Sequence, residues 1–115
     1  MDGLYHRQLG FPNVPLPCGT FLLSYTRHAL KEALTDCYSC IQLPPSLQVT
    51  PESIVEIEVK QKTVVKVLVR IEYSNDFDLC LVLKPHHLWA TVLTVWLNKR
   101  NDQHSTLNIS RYKLP

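Results

Sequence analysis

The sequence predicts an α+β domain in which one main N-terminal helix packs on a four- to five-stranded antiparallel sheet. Three observations point that way. Residues 54–60 (IVEIEVK) alternate apolar and charged side chains with a period of two, and residues 63–73 resume the alternation after a two-residue turn. Two further strand-like runs follow, at 76–84 and 91–98. Upstream, Ala29, Leu30, Ala33 and Leu34 recur at helical spacing on one side of the stretch 27–36. A helix followed by consecutive hairpin-linked strands is the pattern of an antiparallel sheet with one covered face.

Each element has a local reason. Residues 1–19 read as an extended, proline-rich arm, because Pro12, Pro15 and Pro17 block a helix and bias their predecessors to extended backbone. Residues 20–115 then form a single domain. The stretch 20–25 (TFLLSY) is a short strand, and Ser24 or Thr26 is placed to cap the helix that follows. Pro44, Pro45 and Pro51 mark an uncharged connection. In the hairpin, Val55, Ile57 and Val59 share one face, and Glu56 and Glu58 the other. In the next strand Val65, Val67, Val69 and Ile71 oppose Lys66, Arg70 and Glu72. The turn at Gln61-Lys62 lacks the usual Asn-Gly chemistry. The run 76–84 is more uniformly apolar than the others, as a central strand would be, and the residues after 98 are polar.

Composition excludes several functions. The chain has 115 residues, 45% of them hydrophobic, too apolar for a disordered tail. Its formal charge is 12 − 10 = +2, so bulk charge cannot drive nucleic-acid binding and any basic function must come from placement. No glycine follows Gly19, which removes the phosphate-cradling loops of P-loop and Rossmann enzymes. Ser39, Ser46 and Ser105 lack a nucleophile-elbow context. Four cysteines are too few for a disulfide scaffold. No secretory signal opens the chain, and prolines interrupt its longest uncharged stretch, so the expectation is a cytoplasmic protein without a membrane partner.

Chemistry concentrates in a few residues. Glu56, Glu58, Lys66 and Arg70 project from one sheet face, where cross-strand charge pairing is the plain explanation. His28 lies in the first turn of the helix, and His104 in the polar segment after the last strand. Two histidines with cationic neighbours suit cleavage of an RNA phosphodiester: one takes the 2′-hydroxyl proton, the other protonates the leaving 5′-oxygen, and a cation stabilises the charge between. Such a site needs no metal or other cofactor. Cys37 and Cys40 have the spacing of half a zinc site or a redox pair, but no second half is evident and the pair follows a helix instead of opening one. Cys80, in an apolar run, reads as a buried thiol. Trp89, Trp96, Tyr73 and Tyr112 could stack on bases, and Trp96 could equally be core or a partner-binding patch.

A family likeness runs through Tyr25-Thr-Arg-His28-Ala-Leu, Ile54-Val-Glu-Ile-Glu-Val59, Lys66-Val-Leu-Val-Arg70 and Asp78-Leu-Cys-Leu-Val82. It continues in Thr94-Val-Trp-Leu-Asn98, Asp102-Gln-His104-Ser-Thr106-Leu107 and Ser110-Arg-Tyr112. These segments resemble a group of small phage and prophage proteins. In layout they are similar to the barnase–EndoU–colicin–RelE (BECR) class of ribonuclease toxins. The resemblance implies a RelE-like metal-independent endoribonuclease in a host cytoplasm, with RNA as partner and a cognate antitoxin or host protein as a further one. It would put His28, His104, Lys66 and Arg70 at the catalytic centre and Thr106 and Tyr112 against substrate, where the stacking residue Trp96 would join them. A phage scaffold of this kind would alternatively be a non-enzymatic interaction protein that binds or inhibits a host factor.

Overall fold

The computed structural model of the chain describes residues 1–102 and 108–115. The alternating segments pair as an antiparallel meander: β4 (Ile54–Lys60), β5 (Thr63–Glu72), β6 (Phe77–Pro85) and β7 (Trp89–Lys99). Gln61 and Lys62 link the first two with φ of 52° and 64°, the left-handed pair that a tight hairpin turn requires, here without glycine. The Gln61 N–H donates to Asp2 Oδ1 at 2.8 Å, which ties the turn to the chain start.

The meander is not the whole sheet. β1 (Gly3–His6) adds to β4, β2 (Gly19–Tyr25) joins β7, and β3 (Ser46–Val49) flanks β2, giving the order β1-β4-β5-β6-β7-β2-β3. β2 runs parallel to β7, with Leu22 opposite Trp89 and Tyr25 opposite Val92. The expected four- to five-stranded antiparallel sheet of BECR or RelE type, with a helix packed on it, is therefore overturned: the sheet has seven strands and is mixed. β1 (GLYH) and β3 (SLQV) are four residues each, too short to carry a period. The parallel pairing joins segments far apart in the chain, and no local pattern encodes it.

The helix also sits elsewhere than expected. α1 (Arg27–Thr35) follows β2 directly, capped by Thr26, whose hydroxyl oxygen accepts the Ala29 N–H at 3.1 Å. β2 leaves β7 after Val92, and α1 continues along the β7 edge so opened. Edge N–H groups that a strand would have taken go to helix carboxylates: Val95 donates to Glu32 and Leu97 to Asp36, both at 3.2 Å. Only Ala29 and Ala33 of the helix are buried, while Leu30 and Leu34 stay exposed.

One sheet face is core. Ile57, Val59, Val67, Val69, Leu79, Leu81, Leu83, Val92, Val95 and Leu97 are all at most 3% exposed. Phe11, Val14 and Leu16 of the arm pack against this core, as do Leu43 and Tyr73. Pro44 and Pro45 precede the outer strand β3 and Pro51 follows it, so the chain cannot extend that open edge as a donor ladder. Among the described residues no helix is long and apolar enough to cross a membrane.

Candidate functional site

The opposite face carries the polar side chains. Register places His6, Glu56, Leu68, Val82 and Thr94 in one row across β1, β4, β5, β6 and β7. On one side of it lies Arg70–Cys80–Trp96; on the other lie Glu58 opposite Lys66 and Lys84 opposite Thr91. Thus Lys66, Arg70 and Trp96, three residues singled out from sequence, share one face, as alternation requires.

Sharing a face does not bring them to one phosphate. Lys66 and Arg70 are four residues apart on one strand, about 13 Å at ~3.3 Å per residue. Arg70 is also engaged: its Nε donates to Asp78 Oδ2 at 2.8 Å and its Nη2 to the carbonyl oxygens of Lys99 and Arg100 at 3.0 and 3.3 Å. Arg100 takes the other Asp78 oxygen at 3.2 Å. One carboxylate between two guanidiniums ties the end of β7 to the β5–β6 turn. Cys80, 2% exposed beside Arg70, has its thiol pushed up to about 11 by burial.

At the β1 edge, the Tyr112 hydroxyl donates to Glu56 Oε1, and Arg111 reaches the same oxygen at 3.7 Å. Burial, then the bond to the Glu56 carboxylate, pushes the Tyr112 phenol up to about 12. His6 stands edge-on to the Tyr112 ring, centroids 5.1 Å apart, and its Nδ1 accepts the Gln8 N–H at 3.1 Å. Tyr112 thus anchors the C-terminal segment to the sheet. His6 carries no alternation or motif signal, and its place on this face follows only from the β1–β4 pairing.

At the β7 edge the geometry is different in kind. His28 Nε2 lies 3.4 Å from Glu32 Oε1 one helical turn on, and the imidazole is 70% exposed. The same Glu32 oxygen accepts the Thr94 hydroxyl and the Val95 N–H. The carboxylate is therefore fixed by the sheet, and it orients an accessible imidazole at the rim of the polar face. Glu32 was not among the residues read from sequence. Its i,i+4 spacing from His28 was the available signal. Lys84 projects from β6 one register step from the row that ends in Thr94.

Past Lys84, the His86 ring stacks on Trp89 with centroids 3.9 Å apart and an interplanar angle of 24°. Its Nε2 is 3.0 Å from Thr91 Oγ1. Trp89 is 45% exposed, and its register partner Leu22 is 65% exposed.

His104 and Thr106 lie outside the described residues. Cys37 and Cys40 are free and exposed, and among the described residues no group of three or more His, Cys, Asp or Glu is arranged to hold a metal ion. Compared with protein-family models, curated proteins and solved structures, the chain matches none, so its chemistry has to be read from its own side chains.

Proposed function

We propose that the chain is an endoribonuclease that cleaves RNA by 2′-hydroxyl transesterification at the β7 edge of the polar face. The observation that carries this is the His28–Glu32 pair, an exposed imidazole oriented by a carboxylate that Thr94 and Val95 lock in place. His28 accepts the 2′-hydroxyl proton as O2′ attacks phosphorus. A general acid then protonates the departing 5′-oxygen, leaving a 2′,3′-cyclic phosphate and a 5′-hydroxyl end. His104 is the acid this reading assigns. Lys84, on the strand next to β7, supplies the positive charge for the phosphorane oxygens, and Lys66, one strand further away, is left for a flanking phosphate. Arg70, bound to Asp78, acts as a structural tie, and Tyr112 holds the C-terminal segment.

The test is incubation of purified protein with transfer RNA in EDTA. Cleavage should survive EDTA and fall roughly 10²–10⁴-fold in His28→Ala, the range for loss of a general base. RNA left intact by the wild-type protein would refute the reading. A non-enzymatic protein that binds a host factor or an antitoxin is favoured by one observation, the contiguous exposure of Leu22, Leu88 and Trp89. Intact RNA together with a stable protein complex lost in Leu88→Ser would support it.

A further inference from the structure

The basic and aromatic side chains next to the His28–Glu32 pair form a feature of their own. Lys84 pairs with Thr91 in the β6–β7 register, and Val67 pairs with Leu83 between β5 and β6. Continuing the latter register by one pair sets Lys66 opposite Lys84. Like charges facing each other across a ladder are destabilising. Glu58 is the register partner of Lys66 on the other side, yet among the described residues neither lysine is in an ion pair. Two unpaired ammonium groups on neighbouring strands suit an anion that can lie between them.

Beside them the His86–Trp89 stack is pre-ordered by Thr91. One indole face is covered by His86, and Trp89 remains 45% exposed. Behind His86 opens a groove of about 300 Å³ lined by Pro15, Leu16, Pro17, Lys62, Thr63, Val64 and Pro85. Lys62 in its lining adds a third cation outside any ion pair among the described residues.

We infer that this corner binds single-stranded RNA: an unpaired base stacks on the open side of the Trp89–His86 pair, the backbone passes Lys84 toward His28, and Lys66, one strand further from His28, takes a flanking phosphate. The inference rests on the ribonuclease reading and specifies its substrate as an unpaired strand. Charge complementarity and the aromatic platform select this occupant. A duplex keeps its bases stacked on one another and offers none to the ring.

The experiment uses a 2′-O-methyl oligouridine, which has no 2′-hydroxyl to attack, so binding is read apart from cleavage. Affinity should fall roughly 5- to 150-fold in Trp89→Ala, the range for losing one base–aromatic stack, and be largely kept in Trp89→Phe. Lys84→Ala and Lys66→Ala should each reduce the slope of log K against log salt by about 0.7, one phosphate contact apiece on a single strand. A matched duplex should compete poorly. Thermal unfolding of each variant confirms that it is folded. Unchanged affinity in folded Trp89→Ala, equal competition by duplex, or no binding by the wild-type protein would overturn the inference. Binding that depends on Trp89 without cleavage of any RNA would remove the catalytic reading and leave the strand site standing. Cleavage lost in His28→Ala but untouched in Trp89→Ala would do the reverse.

Discussion

Replacing Glu32 separates the structural and chemical duties of the β7 edge. One carboxylate oxygen accepts the Val95 N–H at 3.2 Å and the Thr94 hydroxyl, and it faces His28 at 3.4 Å. Val95 is 1% exposed, so Glu32→Ala leaves a buried backbone donor without a partner. That costs about 1–3 kcal/mol, and bonds to a charged acceptor lie at the upper end, so about 2.5 kcal/mol is expected. At roughly 2.1 cal/mol/K per residue, 115 residues unfold with an entropy near 0.24 kcal/mol/K, and Tm should drop by about 10 °C. Glu32→Gln keeps an oxygen for the same donors and loses only the charge. It should cost about 1 kcal/mol, or roughly 4 °C, by thermal melting or urea titration. Its RNA cleavage should nonetheless fall, because the amide no longer stabilises the imidazolium that forms on His28 during proton transfer. A Glu32→Ala protein melting within about 2 °C of wild type would refute the claim that helix carboxylates replace the missing strand. A Glu32→Gln protein with wild-type cleavage would remove Glu32 from the chemistry while leaving its structural part intact.

Three further outcomes follow from other parts of the molecule. With a thiol reagent in native buffer, Cys37 and Cys40 should react first, Cys18 more slowly because burial and then Glu52 raise its pKa, and Cys80 only after denaturation; a fourth fast thiol would contradict the burial of Cys80. Gln61→Asn with Lys62→Gly should stabilise the hairpin by roughly 1 kcal/mol, since both positions hold left-handed backbone that these residues adopt at less cost; a lower melting temperature would show that the Gln61–Asp2 tie is backbone-conformation dependent in a way this substitution disturbs. Tyr25 and Tyr112, both pushed up to about 12 by burial first, hold their protons more tightly folded than unfolded, so stability should be intact below pH 10 and decline as pH rises through 10 to 12. Phenolate absorbance should show both titrating late, and Tyr112→Phe should remove its part of that decline.

Much of the local structure was legible. The alternation in IVEIEVK reappears as buried Ile57 and Val59 against Glu56 and Glu58 on the polar face, because side-chain direction in a strand reverses at every residue; it fails at Val55, expected in the core, because the register shift between Ile54 and Glu56 buries Ile54 instead. Thr26 caps the helix as a threonine before an Ala/Leu-rich run should. The helix face was less legible: Leu30 and Leu34 looked like core, yet the smaller Ala29 and Ala33 are buried, since a helix lying along a strand edge admits only short side chains there. Among the candidate site residues, alternation set Lys66 and Arg70 on one face, whereas Trp96, open between core and patch in the sequence, is put beside Arg70 only by the β5–β6–β7 register. Their partners were not readable, because Arg70 meets Asp78 and the Lys99 and Arg100 carbonyls only once β5, β6 and β7 align.

Strand alternation, the capped helix and the proline-bounded segments were thus determined by the sequence itself, since each depends on neighbours within a few residues. The parallel seam between β2 and β7, the edge strands β1 and β3, and the union of His28, Glu32 and Thr94 were decided by tertiary structure. Those pairings bring together segments that are distant in the chain, and several apolar runs would satisfy the same local pattern. Only simultaneous burial of one continuous sheet face, with the Val95 and Leu97 N–H groups of β7 given carboxylate acceptors, distinguishes the arrangement the chain adopts.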